Sequence, residues 1–190
     1  MPRIYTRTGD DGSTGRLYGG RIPKSHPAAE AYGAVDETVA DLGVARAQAE
    51  NPRLIGLLLE VQRELFVVGA DLAANPEERG KLQPDVSLVT SAMVERLERV
   101  IDETVAEHPL PQEFVVPGAS IVGAALDVAR VTCRRAERRA VALQESGAEV
   151  HAEATRYLNR LSDLLFVLAR WQAGGHEEPG RPKDAEGGRP

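Results

Sequence analysis

The sequence predicts an all-α protein, a single bundle of five helices preceded by a glycine-rich N-terminal loop. Three observations predict this class. Apolar residues recur at spacings of three and four over most of the chain, which is the period of one helix face. No segment alternates polar and apolar residues as a half-buried strand would. The length of 190 residues is enough for one domain with its own core.

Start and stop signals bound most of the predicted helices. Asn51 and Pro52 form an N-cap and a first-turn proline, and Ser120 is the expected cap of the fourth helix. Gly174 and Gly175 end the fifth. The expected helices cover residues 27–50, 51–75, 85 or 87 to about 108, 120–145 and 149–172, with residues 75–85 as a connection. Residues 1–173 are therefore the predicted domain, and residues 174–190, dense in Gly, Pro and charge, are a predicted disordered tail.

Residues 6–24 have no apolar period and are read as a loop that holds an anion. The segment carries five glycines, four Ser or Thr hydroxyls and several basic side chains. Glycines allow successive backbone N–H groups to turn inward, and hydroxyl, Arg and Lys donors suit phosphate oxygens. The residue content therefore predicts a polyphosphate ligand, although a simple N-terminal arm would have a similar composition.

Several familiar phosphate and metal motifs are excluded. The Walker A pattern is missing, since Gly80-Lys81 is followed by leucine, and no strand pattern precedes the loop as a dinucleotide fingerprint requires. Asp10-Asp11-Gly12 lacks the alternating acids of a calcium loop. The four histidines form neither a zinc spacing nor a Glu-x-x-His pair, so no metal ligand is assigned.

Composition argues against several functional classes. A net charge of −6 disfavours nonspecific nucleic-acid or membrane-surface binding. No run of about 18 apolar residues and no apolar leader occurs, so a cytoplasmic protein is expected. The single cysteine, Cys133, lies on an apolar helix face with no adjacent histidine and is predicted to be a core residue.

Charged residues on three helices are candidates for a binding site. On the fourth helix Arg130, Arg134 and Arg138 recur at one-turn intervals beside Asp127. This spacing is typical of a solvated charged face, and it would also suit a phosphate-binding surface. Asp36 projects from the apolar arc of the first helix, so it is expected to meet a cation. On the fifth helix Arg156, Asn159, Asp163 and Arg170 share the polar arc.

Five blocks of this sequence resemble the PduO-type ATP:cob(I)alamin adenosyltransferases, in the same order and over about residues 3 to 172. Their shared order makes the resemblance more specific than any single block. The blocks are Thr6-x-Thr-Gly-Asp-x-Gly-x-Thr, Gly20-Arg21-Ile22-x-Lys24, Ala31-Tyr32-Gly33-x-Val-Asp36-Glu37, Arg134-Arg135-Ala136-Glu137-Arg138 and Asn159-Arg160-Leu161-Ser162-Asp163.

The resemblance implies a homotrimer with each active site between two subunits. One subunit's loop would bind the triphosphate of ATP, and the fourth and fifth helices of its neighbour would complete the pocket. Asp36 and Arg130 match a buried ion pair at the subunit contact. Phe114 matches an aromatic residue that packs under the corrin ring. The implied nucleotide-binding residues are Thr6, Arg7, Thr8, Gly9, Thr14, Gly15 and Lys24 of the loop and Arg134, Arg135, Ala136, Glu137, Arg138 and Asn159 of the helices.

The implied reaction is attack of cob(I)alamin on the 5′ carbon of Mg²⁺-bound ATP, which forms adenosylcobalamin and releases triphosphate. Cobalt(I) is the nucleophile, so no Ser, Cys or His nucleophile is required. Arg134 and Phe114 are the expected catalytic residues. The resemblance also makes hand-off of the product to a cobalamin-dependent mutase a possible partnership.

Two other functions are compatible with the same residues. A carrier or sensor could bind ATP or adenosylcobalamin without turnover, and a phosphotransferase could use the loop alone, in which case Phe114 would be irrelevant. The sequence also departs from the family at Ala28-Ala29, Thr38-Val39 and Ala119. By the resemblance, these positions border the corrin pocket and the first helix, so they bear on corrinoid selectivity or on turn geometry rather than on ATP binding.

Overall fold

The computed structural model describes residues 4–148 and 150–181, and within them the predicted helical bundle is confirmed. Five α-helices carry the fold. They are α1 (Pro27–Gln48), α2 (Pro52–Ala73), α3 (Ser91–Glu107), α4 (Ile121–Glu145) and α5 (Ala152–Ala173). Four two- or three-residue strands, which the sequence pattern did not predict, form two small antiparallel ribbons: β1 (Ser13–Gly15) with β2 (Arg21–Pro23), and β3 (Val115–Val116) with β4 (Glu178–Pro179).

The predicted caps are observed where they can be checked. The Asn51 side chain accepts from the backbone N–H of Arg53 at 2.9 Å, and the Ser120 hydroxyl accepts from that of Gly123 at 3.0 Å. Each bond satisfies an N–H that lacks a partner in the first turn of its helix. Gly174 ends α5 in the left-handed conformation at φ 62°, which explains why a glycine is favoured there.

Three element boundaries differ from the prediction. Helix α3 begins at Ser91 rather than at residue 85 or 87, because Asp85 has a positive φ and Gln83 to Leu88 form a compact turn. Residues 76–81, expected to be a connection, form a 3₁₀ helix (Pro76–Lys81) capped by Asn75. The predicted start of the fifth helix at residue 149 lies outside the described residues, and the helix is observed from Ala152.

The helices enclose one hydrophobic core. Helix α1 packs on α2 and α4, and α5 packs on α4 and α3. Leucines of α2 and α5 fill the centre, among them Leu58, Leu65, Leu161 and Leu165, which are all fully buried. Burial of each such side chain contributes about 1.5–3 kcal/mol, so the helix faces predicted from periodicity supply most of the stabilisation.

A polar cluster ties α2, α3 and α5 together at the edge of this core. The Tyr157 hydroxyl donates to Glu64 at 2.6 Å, and the Arg96 guanidinium donates to the same carboxylate. Burial and the adjacent Glu64 charge raise the pKa of Tyr157 well above its ordinary value, so the phenol stays a hydrogen-bond donor. The cluster fixes how α3 lies across the other two helices.

Candidate active site

The N-terminal loop is a short hairpin fixed to the end of α2. The backbone N–H of Leu17 donates to Ala73 at 3.0 Å, and that of Asn75 donates back to Leu17 at 2.9 Å. Strands β1 and β2 pair in the register Thr14 with Ile22, and Ile22 is buried against the bundle. These contacts place the polar part of the loop at one end of the bundle.

Polar contacts order the tip of this hairpin. Arg21 donates to the backbone carbonyl of Thr8 and to the Ser13 hydroxyl. Asp11 accepts from the hydroxyl and the N–H of Ser13, and these two bonds hold the pKa of the Asp11 carboxyl below its ordinary value. The tip of the hairpin is therefore held by its own polar side chains, whereas Ile22 packs its base against the core.

The space beside Gly9 explains why a glycine stands there. A Cβ at Gly9 would lie 3.1 Å from the Ser13 carbonyl oxygen and 3.4 Å from the Lys24 ammonium nitrogen. The Lys24 ammonium thus lies against the loop backbone at Gly9. In the preceding residues, the exposed hydroxyls of Thr6 and Thr8 are 2.8 Å apart. Backbone amides, two hydroxyls and an ammonium group on one short loop are donors suited to phosphate oxygens. Of the other predicted loop residues, Arg7 and Gly15 are exposed and Thr14 is half-buried.

The arginines of α4 do not share one environment. Arg135 forms an ion pair with Glu37 of α1 and therefore faces that helix. Arg134 borders a cleft between α3, α4 and α5, and Arg138 is exposed. Ala136, predicted to contact the nucleotide, is fully buried in the core, so the helix turns its side chain away from any ligand. This corrects the prediction for Ala136.

The cleft beside Arg134 has a volume of about 510 Å³ and mixes charge with apolar surface. Its charged lining consists of the cations Arg130, Arg134 and Arg160 and the carboxylates Glu98, Asp102 and Asp163, and its apolar residues include Ile101, Leu110 and Phe166. Next to it, Asn159 donates to Glu137 at 2.9 Å, which joins α5 to α4 and orients the Glu137 carboxylate. The predicted helix residues Arg134, Glu137 and Asn159 therefore lie on adjoining parts of α4 and α5.

Phe114 lies near the Arg134 cleft, beside a neighbouring cavity. Its side chain is 94% exposed, on the loop between α3 and α4. It borders a cavity of about 400 Å³ that Arg130 and Phe166 also line. Since those two residues line the Arg134 cleft as well, a single chain brings Phe114 and Arg134 to neighbouring cavities. Phe114 therefore offers an exposed apolar ring at the edge of a cavity, where a ligand with an apolar face could pack on it.

Asp36 and Arg130 are not paired within the chain. Asp36 lies among apolar side chains, as predicted, but these border an open groove of about 410 Å³ between α1 and α2, and Asp36 itself is exposed. Arg130 instead donates to Asp127 at 3.0 Å. Whether Asp36 meets Arg130 depends on a second subunit, so the ion pair stays a prediction.

Sequence reasoning missed a second charged group, which lies beneath the Phe114 loop. Asp127 and Arg170, both expected on polar helix faces, are 5% and 7% exposed and form an ion pair across α4 and α5. The periodicity placed both residues on the polar arcs of their helices, and nothing in the spacing revealed that they face each other. Glu177, within the segment predicted to be a tail, joins this pair.

Cys133 is a core residue, as predicted. Its thiol donates to the backbone carbonyl of Leu158 at 3.3 Å, and complete burial raises the pKa of the thiol far above its ordinary value. We expect the folded protein to resist alkylation by iodoacetamide at pH 8, with labelling only after denaturation. Rapid labelling of the native protein, measured by mass spectrometry, would show that this burial is wrong.

The described residues contain no cluster of three or more His, Cys, Asp or Glu that would suit a metal ion. No helix among residues 4–148 and 150–181 is both long and apolar enough to cross a bilayer.

Comparison with known proteins assigns this arrangement to a family. The family profile described as "Cobalamin adenosyltransferase" matches residues 4–172. A corrinoid adenosyltransferase from Citrobacter freundii is 41% identical over 170 residues, which cover 90% of this chain and 94% of that protein. One from Bacillus subtilis is 43% identical over 172 residues, covering 88% and 85% of the two chains. The chain belongs to the cobalamin adenosyltransferase family, and the resemblance found in the sequence is confirmed.

Solved structures agree with this assignment. A phenylalanine-to-alanine variant of a PduO-type ATP:corrinoid adenosyltransferase from Lactobacillus reuteri, complexed with cobalamin and ATP, matches with a TM-score of 0.85. The two proteins are 30% identical, and the match covers 96% of this chain and 100% of that one. The predicted fold class is therefore confirmed as that of a transferase family.

Proposed function

We propose that this protein transfers the 5′-deoxyadenosyl group of ATP to cob(I)alamin. Family membership supports the reaction class, and one observation in the chain carries the assignment. The cation Arg134 and the exposed ring of Phe114 border neighbouring cavities that share Arg130 and Phe166. A substrate with a polyanionic end and a substrate with a large apolar ring system would meet at such a place.

The bond changes balance without a protein nucleophile. Cobalt(I) donates an electron pair to the 5′ carbon of ATP, and a cobalt–carbon bond forms. The bond from that carbon to the triphosphate oxygen breaks, and its electron pair leaves with the triphosphate. Negative charge therefore develops on the leaving group, where fixed cations and N–H donors lower the barrier most.

The chain's residues divide this work between two surfaces. The N-terminal hairpin offers Thr6, Thr8, the amides near Gly9 and the Lys24 ammonium to the triphosphate, and Mg²⁺ would enter with ATP as part of the substrate. Arg134 would neutralise the leaving triphosphate from the cleft side. Phe114 would lie under the corrin and exclude a lower ligand from cobalt, which makes cobalt(II) easier to reduce.

The two phosphate-binding surfaces favour a site between subunits. The hairpin is fixed to the end of α2, whereas the Arg134 cleft is formed by α3, α4 and α5 and has no hairpin residue in its lining. The chain also presents two different apolar patches, the α1–α2 groove with Phe66 and the exposed α4 residues Val128 and Val131. Unlike patches that contact each other give a head-to-tail assembly, which is a ring when the rotation closes. The family resemblance implies three subunits, so a closed homotrimer is the proposed assembly.

Asp36 and Arg130 lie within these two patches. Among residues 4–148 and 150–181, Asp36 is the one charged residue that lines the α1–α2 groove. Arg130 lies between Val128 and Val131 along α4. If the groove of one subunit receives α4 of the next, Asp36 becomes buried and needs a cation. Arg130, whose pairing with Asp127 at 3.0 Å uses one of its donors, is placed to supply that cation.

We expect Asp36→Asn to weaken the assembly. Losing the charge interaction between Asp36 and Arg130 of the next subunit should raise the protein concentration at which trimers dissociate by about 100-fold. Analytical ultracentrifugation over a concentration series measures this. Asp41→Asn, on the same helix, is the matched control and should dissociate like the parent protein. Equal behaviour of both variants would remove the ion pair from the proposal.

A direct assay tests the proposed activity. Purified protein, Mg²⁺-ATP and chemically reduced cobalamin should yield the absorption spectrum of adenosylcobalamin together with free triphosphate in equal amounts. A carrier or sensor would bind adenosylcobalamin without releasing triphosphate, and a phosphotransferase would release orthophosphate or a phosphorylated product. Either result would refute the adenosyltransferase proposal.

The proposal places the reaction in the cytoplasm, where ATP is available. It also includes hand-off of adenosylcobalamin to a cobalamin-dependent mutase. The exposed Phe114 loop supports this, because a product bound at the surface can pass to another protein without being released into water.

A further inference from the structure

We propose that residues 176–181 hold the Phe114 loop in position, and that Glu177 is the positioning residue that anchors them. This inference rests on the proposed function, since it assigns these residues to the corrin side of the same site. The segment lies beyond the part of the chain that the family profile matches, which ends at residue 172.

The segment contacts the Phe114 loop through its backbone. Strand β4 pairs with β3 in the register Val116 with Glu178 and Val115 with Pro179. The backbone N–H of Gly180 donates to the carbonyl of Phe114 at 2.6 Å. A Cβ at position 180 would lie 3.0 Å from that carbonyl oxygen and 3.4 Å from the Cβ of Phe114, so the two residues are in direct contact.

This ribbon is too short to hold the loop by itself. It has two residues on each side, and Pro179 has no N–H to donate. Isolated two-stranded ribbons of this size are at best marginally stable. A cavity of about 570 Å³, lined by Pro109 to Glu113 on one side and by Glu177 and Pro179 on the other, separates part of the loop from the segment. Close apolar packing therefore does not fix the loop either.

Glu177 supplies the missing anchor. Its side chain is 6% exposed, and its carboxylate oxygen Oε1 lies 3.1 Å from the Nε of Arg170, which also pairs with Asp127. The two atoms are buried and form no hydrogen bond, so the contact is an ion pair held by charge alone. Arg130 pairs with Asp127 from the other side at 3.0 Å, so two cations and two carboxylates form a nearly buried, neutral group. Removing the charge of Glu177 leaves one buried cation without compensation, and the segment loses its only ion pair to the bundle among the described residues.

The group also connects the loop to the rest of the site. Arg130 and Phe166 line both the Arg134 cleft and the Phe114 cavity, and the guanidinium of Arg170 lies 5.1 Å from the Phe166 ring centroid. Glu177 thus acts through Arg170 on residues that border the corrin side, whereas the N-terminal hairpin lies elsewhere. The expected defect is specific to the corrinoid and leaves ATP binding intact.

The test compares Glu177→Gln with Glu178→Gln, a neighbouring exposed carboxylate in β4. In full-length protein without substrates, hydrogen exchange at residues 112–118 should become at least about tenfold faster in Glu177→Gln and stay unchanged in Glu178→Gln. With substrates, Glu177→Gln should lower kcat/KM for cob(I)alamin about tenfold and leave the KM for ATP within about twofold.

A second variant avoids the buried charges. Gly180→Val should displace Phe114 directly and give the same corrinoid-specific loss with the Arg170 pairs intact. Unchanged exchange at residues 112–118 in Glu177→Gln, or an equal loss for ATP and cobalamin in both variants, would overturn the inference. The hydrogen-exchange measurement does not depend on catalysis. If the parent protein proved inactive, the proposed function would be refuted, but the exchange rates at residues 112–118 would still show whether Glu177 positions the loop.

Discussion

Replacing Arg134 with alanine is expected to lower kcat by about 10²–10³-fold, because one fixed cation facing a developing anion contributes about that much. Arg134 borders the cleft next to Arg130, and among the described residues no carboxylate lies within ion-pair distance of it, although Glu98, Asp102 and Asp163 also line this cleft. Its guanidinium can therefore turn toward a bound anion. Adenosylcobalamin formation under saturating ATP measures the change. Arg134→Lys should retain part of the activity, since it keeps the charge but loses the planar fork.

Arg139→Ala is the control for this variant. Arg139 lies on the same helix, is 53% exposed, and faces Glu30 of α1 at 3.7 Å, away from the cleft. An exposed pair of this kind contributes little to stability. Its loss should therefore change kcat by less than about twofold. If Arg139→Ala and Arg134→Ala lost activity equally, general charge rather than the position of Arg134 would account for the effect.

Replacing Phe114 with alanine is expected to lower kcat with cobalamin about 10–100-fold and leave the KM for ATP nearly unchanged. Loss of a large aromatic ring removes about 1.5–3 kcal/mol of apolar contact, and water could then reach the lower face of cobalt. Steady-state kinetics with each substrate varied in turn separates the two effects. The absorption spectrum of bound cob(II)alamin should also shift toward the form with a lower axial ligand.

Val116→Ala is the matched control. Val116 lies on the same loop, is 50% exposed and pairs through its backbone with Glu178, so the substitution shortens an exposed side chain without removing the ring. Activity close to that of the parent protein is expected. If Phe114→Ala raised the KM for ATP by as large a factor as it lowered kcat, the placement of Phe114 on the corrin side would be contradicted.

The sequence predicted the helices well because their signals are local. Asn51 and Ser120 cap helices where their side chains could reach the first free N–H groups, and apolar spacing identified the buried faces of α2 and α5. The start of α3 was placed four to six residues too early. A compact turn with hydrogen bonds around Gln83 and Ser87 competes there with the helix.

The site was predicted less completely because it depends on contacts between distant parts of the chain. Asp127 and Arg170 are 43 positions apart, and each looks like an ordinary polar residue on its own helix. Ala136 stands within an arginine-rich block, yet helical geometry turns it toward the core. The short ribbons also escaped prediction, since two or three residues are too few to show strand alternation.

Residues 176–181 modify the predicted tail. Glu177 is held by Arg170, and Glu178 and Pro179 pair with the Phe114 loop. The sequence composition that favours disorder is concentrated further along, and residues 182–190 lie outside the described residues. The domain boundary at residue 173 and the disorder of the remaining tail therefore stay predictions.

The central claim is that one ATP triphosphate is held by the hairpin of one subunit and by Arg134 of the next. Mixing two inactive variants tests it most directly, with Lys24→Ala disabling the hairpin and Arg134→Ala the cleft. If the site lies between subunits, random trimers formed by co-refolding equal amounts should contain intact sites and recover about a quarter of the parent activity. If each site lay within one chain, every site would carry a defect, and the mixture would be no more active than the separate variants.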